Sequence, residues 1–362
     1  MKIYNCHTHL FTLDHVPERF LPKFVMWALK QKWTRKMFRR LLPGKRDLLE
    51  RYVNFFEVNM LDGQANVLKR LKGYYPQGSV DQTEFIVLPM DMEHMLAGKV
   101  KAGIDEQHEE LLELLNNGEP VIPFIGTDPR KKTDVLAFVK KWHEKGFKGV
   151  KLYPPLGYYP THSALMDEVY PYCIQHKLPI MAHCSRGGVH VKKVTDEMLD
   201  EPNPINRPVV KSKAKEFSDI YTDPSNYVPV LEKHKDLRIC LAHFGGGDEW
   251  DKYLLTSWDT SMPDTEKSWL SVIKDLMLKY DHVYADISST LFQGGETRIH
   301  LLKVLLQNEK IRKRVLFGSD YYMMERVKDL ERINAIKLRS ELGETLFKQI
   351  AVENAENYLN YN

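Results

Sequence analysis

The 362-residue sequence predicts an α/β protein, a (β/α)8 barrel with long insertions after its first and fifth strands. Three observations predict it. Eight short apolar runs alternate with longer segments of helical periodicity. The runs are continuous rather than alternating in hydrophobicity, as parallel strands buried on both faces must be. Polar side chains recur at the C-terminal ends of the runs, where such barrels carry their sites. An open doubly wound sheet would need a glycine-rich phosphate loop after its first strand, and His9-Leu10-Phe11-Thr12 is not one.

The runs are Ile3 to His9, Glu84 to Met90, Val121 to Gly126, Gly149 to Tyr153, Pro179 to His183, Arg238 to His243, Val283 to Ile287 and Val315 to Asp320. Between the third and fourth, Leu136, Val139, Lys140 and His143 keep helical spacing and the pattern stops at Gly146. Between the sixth and seventh, Leu270, Ile273, Leu276 and Met277 make one apolar face of a helix over Trp269 to Lys279. Residues 10–83 and 184–237 are too long for simple strand-to-helix loops, and both are expected to rise over the catalytic face as a cover. The first contains Lys23 to Leu42, where Met26, Leu29, Trp33, Met37 and Leu41 form a stripe beside six basic residues between Lys30 and Arg40. This reads as a helix packed on the barrel or on a second subunit, in preference to a membrane-surface helix. The second, with Pro202, Pro204 and Pro208, reads as irregular until a helix begins near Asp223-Pro224. Residues 1–362 are expected to form one domain.

Composition bounds the function classes. Apolar residues make up 43% and charged residues 28%, as in an ordinary globular protein. A net charge of +3 gives no reason to expect nucleic acid as a partner. The early residues hold no apolar signal core, and the run Phe24 to Leu29 is far too short to span a bilayer, so a cytoplasmic location without membrane attachment is expected. Cys6, Cys173, Cys184 and Cys240 have no metal or disulfide spacing and read as reduced thiols.

His7 and His9 project from the same side of one strand, about 6 to 7 Å apart, close enough to grip one ion. Lys151 lies near the end of the fourth run, and His183, His243 and Asp320 end the fifth, sixth and eighth. Imidazoles and a carboxylate gathered at strand ends make a mixed nitrogen and oxygen set suited to zinc, with manganese or iron as alternatives. Arg186, Tyr153 and Arg130 follow strand ends and are candidates to bind a substrate, the arginines through a carboxylate.

HTH at His7 to His9, GFKGVKLYPP at Gly146 to Pro155, AHCS at Ala182 to Ser185, LAHFGG at Leu241 to Gly246 and GSD at Gly318 to Asp320 together resemble the amidohydrolase superfamily. With IAVENAENYL near the C-terminus the likeness spans nearly the whole chain, and it is most similar to the amidohydrolase-2 branch of TIM-barrel metal-dependent hydrolases. The resemblance implies that His7, His9, His183 and Asp320 hold a divalent metal, with one or two ions per chain. It implies that His243 is either a ligand to a second metal or a catalytic histidine. Lys151 sits in a KLYP context like that of the carboxylated, metal-bridging lysine of dinuclear members; alternatively it stays an ammonium and pairs with a substrate carboxylate or with Asp320. Asp320 would take a proton from a metal-activated water and pass it to the leaving group.

The expected activity is hydrolysis of a small amide, ester, lactone or carboxylated substrate. A decarboxylase or hydratase of the same branch is the alternative, and a ligand-binding barrel without chemistry a more distant one. A homo-oligomer is compatible with all three.

Overall fold

The structure is a computed structural model, and it describes residues 1–20, 57–58, 60–75, 81–131, 133–206, 214–257, 259, 261–263, 266–291, 295–322 and 330–360. The basic helix expected over Lys23 to Leu42 lies outside the described residues. The strands are β1 (Lys2–Thr8), β2 (Gln82–Val87), β3 (Val121–Pro123), β4 (Ile125–Thr127), β5 (Val150–Leu152), β6 (Ile180–Ala182), β7 (Ile239–Leu241), β8 (Val283–Asp286) and β9 (Val315–Leu316). All pairings are parallel, β1-β2-β3 in one ladder and β4 through β9 in order in the other.

The two ladders meet at both edges. β3 and β4 are one strand interrupted at Phe124, whose N–H donates to Val87 O at 3.0 Å, while Ile125 N donates to Gly149 O at 2.8 Å. At the other edge Cys6 N donates to Phe317 O (2.8 Å), Asp320 N to His7 O (2.9 Å) and His9 N to Tyr321 O (2.7 Å). Eight staves in a ring are therefore joined by hydrogen bonds all the way round, which removes the exposed edges an open sheet would leave. Beside that second junction Asn5 Nδ2 donates to Ser319 Oγ (2.8 Å) and Tyr75 OH (2.9 Å), and the Tyr75 hydroxyl donates to Glu331 Oε1 (2.5 Å). First and last strands are thus tied by side chains as well as backbone.

Inside the ring Tyr4, Cys6, Ile86, Leu88, Ile122, Phe124, Met181, Cys240, Ala242, Tyr284 and Leu316 pack with Val352, Ala355 and Tyr358 of the C-terminal segment. Strand side chains alternate in direction, so these inward residues are every second one along their strands. Lys151 is level with Met181, Cys240 and Tyr284 through the register of β5 to β8, which aims a lysine into the barrel.

Helices cover the outside. Among them α1 (Ile104–Asn116), α2 (Val135–Glu144), α3 (Asp196–Asp200), α4 (Ala214–Tyr221), α5 (Val228–Lys233) and α6 (Trp269–Lys279) bear on the expectations above. Asp134 caps α2 by accepting from Ala137 N, and Gly146, at φ +101°, turns the chain out of it. α6 has the predicted bounds; Leu270, Ile273 and Met277 are fully buried. Each such side chain contributes about 1.5–3 kcal/mol of transfer free energy.

The described residues of the second insertion, 184–206 and 214–237, are more regular than Pro202 and Pro204 suggested, and Pro208 lies outside the described residues. They contain α3 and α4, and Tyr159, Val191, Met198, Phe217 and Tyr221 form a small apolar cluster of their own. A 3-10 turn over Pro224–Tyr227 leads into α5, close to the helix start expected at Asp223-Pro224. All four cysteines are buried and free. Among the described residues no helix is long and apolar enough to cross a membrane.

Candidate metal centre

β1 delivers both of its histidines through an irregularity. Tyr4 and Cys6 face the barrel interior, so a regular strand would turn His7 away from it. The register with β2 shifts between Asn5 and Thr8, and this bulge returns His7 to the inside. His7 is fully buried; its Nδ1 donates to Asp286 Oδ2 at 2.9 Å, and its Nε2 has no hydrogen-bond partner among the described residues. His9 Nδ1 donates to the carbonyl of Leu88 at 2.7 Å, which leaves Nε2 facing Asp320 Oδ1 at 3.3 Å. The same carboxylate oxygen is 3.8 Å from His7 Nε2. One ligand atom from each of His7, His9 and Asp320 lies within 4.8 Å of the others.

The remaining histidines form a second layer. His183, at the end of β6, and His243, after β7, approach through Nδ1 and Nε2 at 3.1 Å. The ring of His243 is also 4.7 Å from that of His7. His243 has φ +63° and Asp320 φ +61°, left-handed conformations that cost a non-glycine residue of order 1–3 kcal/mol. Both turn sharply at a strand end, and the surrounding hydrogen bonds, among them His243 N to Asp286 Oδ1 (3.1 Å) and Asp320 N to His7 O (2.9 Å), hold them there. Glycine is needed at 318 for closeness: a Cβ there would lie 2.8 Å from His7 Cβ and 3.3 Å from Ser288 Cβ.

Electrostatics favour neutral rings at His7 and His183 beside anionic carboxylates. Burial pushes His7 down to about 3, with Lys151 adding to the effect and Asp286 opposing it. Burial, then His243 and Lys151, hold His183 well below the usual imidazole value. For Asp286 burial works in the opposite sense and is outweighed by His7 and His243, which keep its carboxyl well below the carboxylate range. Asp320 is likewise held down, against burial, by the His9 hydrogen bond and the surrounding imidazoles. Lys151, buried and with no partner for its Nζ among the described residues, is pushed down to about 8 by burial, against the pull of Asp286 and Asp320.

Tyr153 stacks on His183 with ring centroids 4.5 Å apart, and its hydroxyl accepts from Val189 N at 3.2 Å. Arg186 is half exposed; it donates to Glu249 Oε1 at 2.6 Å and lies over the Trp269 ring. Arg130 is placed differently from the substrate-facing position expected for it. Its guanidinium is forked onto buried Asp128 (2.9 and 2.6 Å) and donates to the carbonyls of Gly157 (3.0 Å) and Leu156 (2.9 Å). Those contacts occupy four of its five donors and pin the loop after β5.

Two residues of the centre escaped the sequence analysis, Asp286 and Ser288. Asp286 lies inside the run Val283 to Ile287 and Ser288 just beyond it, and neither was given a role. A carboxylate at the last position of an otherwise apolar strand was the available signal.

The amidohydrolase family model matches residues 5–360. The chain belongs to the amidohydrolase-2 family. No curated protein matches it. Solved structures align over nearly all of this amidohydrolase at low identity. An amidohydrolase from Burkholderia multivorans with bound zinc is 12% identical, covers 99% of both chains and has a TM-score of 0.57. A 5-carboxyvanillate decarboxylase from Novosphingobium aromaticivorans, complexed with manganese and 4-hydroxy-3-methoxy-5-nitrobenzoic acid, is 14% identical over 99% of this chain and 96% of its own, with a TM-score of 0.57. A dihydroxybenzoic acid decarboxylase from a Polaromonas species, with manganese and 2-nitroresorcinol, is 13% identical over 100% of this chain and 97% of its own, at 0.52. At such identities the likeness establishes the α/β barrel fold of this amidohydrolase.

Proposed function

We propose that this amidohydrolase is a divalent-metal enzyme acting on a small carboxylated substrate, with hydrolysis of an amide, ester or lactone bond as its reaction. One observation carries this: the bare, fully buried Nε2 of His7 faces Asp320 and His9 while its Nδ1 is fixed by a carboxylate, the way a ligand histidine is held. The donor set fits a borderline cation, zinc first and manganese or iron as alternatives. His7, His9, His183 and Asp320 are the proposed ligands. When bound, the ion supplies Lewis acidity, which acidifies water and polarises a carbonyl group.

The protein groups supply the rest. Asp320 accepts the proton of the attacking water and returns it to the leaving group. His243, beside His183 and His7, is the second catalytic imidazole or a ligand to a second ion. Lys151 brings a buried ammonium with no hydrogen-bond partner among the described residues, and such a group calls for an anion. Either a substrate carboxylate meets it, or carboxylation of its amine makes it a bridging ligand. The insertions, residues 10–83 and 184–237, are assigned to the same domain as a cover for the site, a reading supported at their described ends: the Phe11 ring is 5.8 Å from that of His9, and a Cβ on Gly188 would lie 3.7 Å from His183 Nε2. Buried free cysteines are in keeping with a cytoplasmic setting.

Decarboxylation is the second reading. It is favoured by aromatic rings against the candidate ligands, Phe11 on His9 and Tyr153 on His183, and by fold neighbours that are decarboxylases of ring acids.

Metal analysis of purified protein is expected to find zinc, manganese or iron, and a mass increase at Lys151 together with two ions per chain would establish the bridge. Absence of any bound ion after metal-supplemented expression would sink the proposal. A screen of carboxylated amides, lactones and aromatic acids separates the two chemistries, since only decarboxylation releases CO2 without consuming water.

A further inference from the structure

The hydrogen bonds around Asp286 fix more than the one imidazole they touch. An ionised carboxylate only accepts, so the 2.9 Å contact with His7 places a proton on His7 Nδ1. The other oxygen, Oδ1, takes the backbone N–H of His243 (3.1 Å), the N–H of Ser288 (2.9 Å) and the Ser288 hydroxyl. A serine hydroxyl has one proton, and here it is spent on Asp286. Toward everything else Ser288 Oγ is an acceptor.

His243 Nδ1 lies 2.9 Å from Ser288 Oγ and 3.2 Å from the Ser288 carbonyl oxygen. Both partners accept, so His243 Nδ1 carries the proton and the neutral ring leaves a lone pair on Nε2. That lone pair faces His183 Nδ1 at 3.1 Å, and the contact is a hydrogen bond only if His183 Nδ1 is protonated. In neutral His183 the lone pair then falls on Nε2, near Ser185 Oγ at 3.2 Å, a hydroxyl that can donate to it. Ser288 Oγ also lies 3.2 Å from His7 Nδ1, where it accepts a share of the same N–H, so the short contacts of the three rings leave no donor facing a donor.

We propose that Asp286, acting through Ser288, is a positioning residue that sets the tautomer of His7, His243 and His183 together and so leaves the Nε2 lone pairs of His7 and His183 available as ligands. His7 receives its proton placement directly. His183 receives it at third hand, across a serine and a second histidine, from a carboxylate on β8 that it never touches. The chain of donors also assigns His243: in this tautomer its Nε2 cannot donate to a developing oxyanion and serves as a proton acceptor. The ligand part of this inference rests on the metal-site proposal above; the tautomer part stands without it.

The test has two arms. In metal-free, 15N-histidine-labelled wild-type protein, long-range proton–nitrogen spectra read each tautomer, with resonances assigned through His7→Gln, His183→Gln and His243→Gln. Nδ1–H forms are expected at all three; an Nε2–H form at His183 or His243 overturns the relay, whether or not any Asp286 variant folds. In the second arm zinc is titrated into metal-stripped protein. Asp286→Asn is expected to weaken zinc binding about 10- to 100-fold. Ser288→Ala, which leaves Asp286 on His7, is expected to cost less. Wild-type affinity in a folded Asp286→Asn protein overturns the proposal, as does a larger loss in Ser288→Ala. Wild-type protein that takes up no zinc would instead defeat the metal-site proposal, with the spectra still deciding the relay.

Discussion

Replacing Gly318 by alanine should disable the site from behind. The added Cβ would stand 2.8 Å from His7 Cβ, 3.3 Å from His7 N and 3.3 Å from Ser288 Cβ. Carbon pairs rest at about 3.5–4.0 Å, so the nearest contact must open by about 0.7 Å or more. Neither neighbour is a flexible tip that can swing aside: His7 is held by Asp286, and Ser288 by the same carboxylate. Overpacking a buried position costs about 1–3 kcal/mol, which should appear as a lower thermal midpoint. The functional effect should exceed the stability effect, because a displacement near 1 Å at a reacting centre can cost about 100-fold in rate. The assay is a paired measurement on folded Gly318→Ala protein, calorimetric zinc affinity of the metal-stripped form and turnover of the loaded form. Unchanged affinity and turnover would refute the claim that this glycine is required by the closeness of His7.

His7→Ala and Asp320→Asn should each abolish metal occupancy and activity while leaving the circular dichroism of the barrel intact; full metal content in both would remove them from the ligand set. Arg130→Ala should act on stability rather than on substrate binding, since it strands the buried carboxylate of Asp128, a loss of about 3–5 kcal/mol; a changed KM with an unchanged melting temperature would contradict this. Glu201 is pushed up to about 7 from its ordinary 4.5, chiefly by burial. Its folded pKa lies above its unfolded one, so the stability it confers is complete below 4.5 and is lost as the pH rises through 7. Glu201→Gln, which keeps an acceptor for Tyr159 N, should flatten that fall in denaturant titrations between pH 5 and 8, and an unaltered pH profile would count against it.

What could be read from the sequence was what depends on local pattern. Continuous apolar runs, three of them ended by histidines, located the staves and the ends that carry the candidate site, and the helix over Trp269 to Lys279 was recovered with its bounds because its apolar face is a local signal. The third run hid its break at Phe124, because a backbone that switches partners from β2 to β5 leaves no trace in hydrophobicity. His7 and His9 do lie on one side, but the bulge that brings them inward depends on pairing with β2, about eighty residues on. Arg130 looked free because nothing local announces that Asp128 folds back onto it along with two carbonyls of the next loop. Asp286 was missed for the same reason: its meaning comes from His7, 279 positions away.

The junction between β1 and β9 gives the centre a second character. His7 and His9 come from the chain's first strand and Asp320 from just beyond its last, tied by Asn5 and Ser319 across 314 positions of sequence. Contacts of such separation are the costliest in loop entropy and form late in folding. A cation bridging these residues would therefore act as a clasp on the circle, binding the closed chain and not the open one. By mass action it would stabilise the fold by about 2.7 kcal/mol when present at one hundred times its dissociation constant. Chelation should then loosen the ring at its seam first, with amide exchange rising in β1 and β9 ahead of β5 to β7.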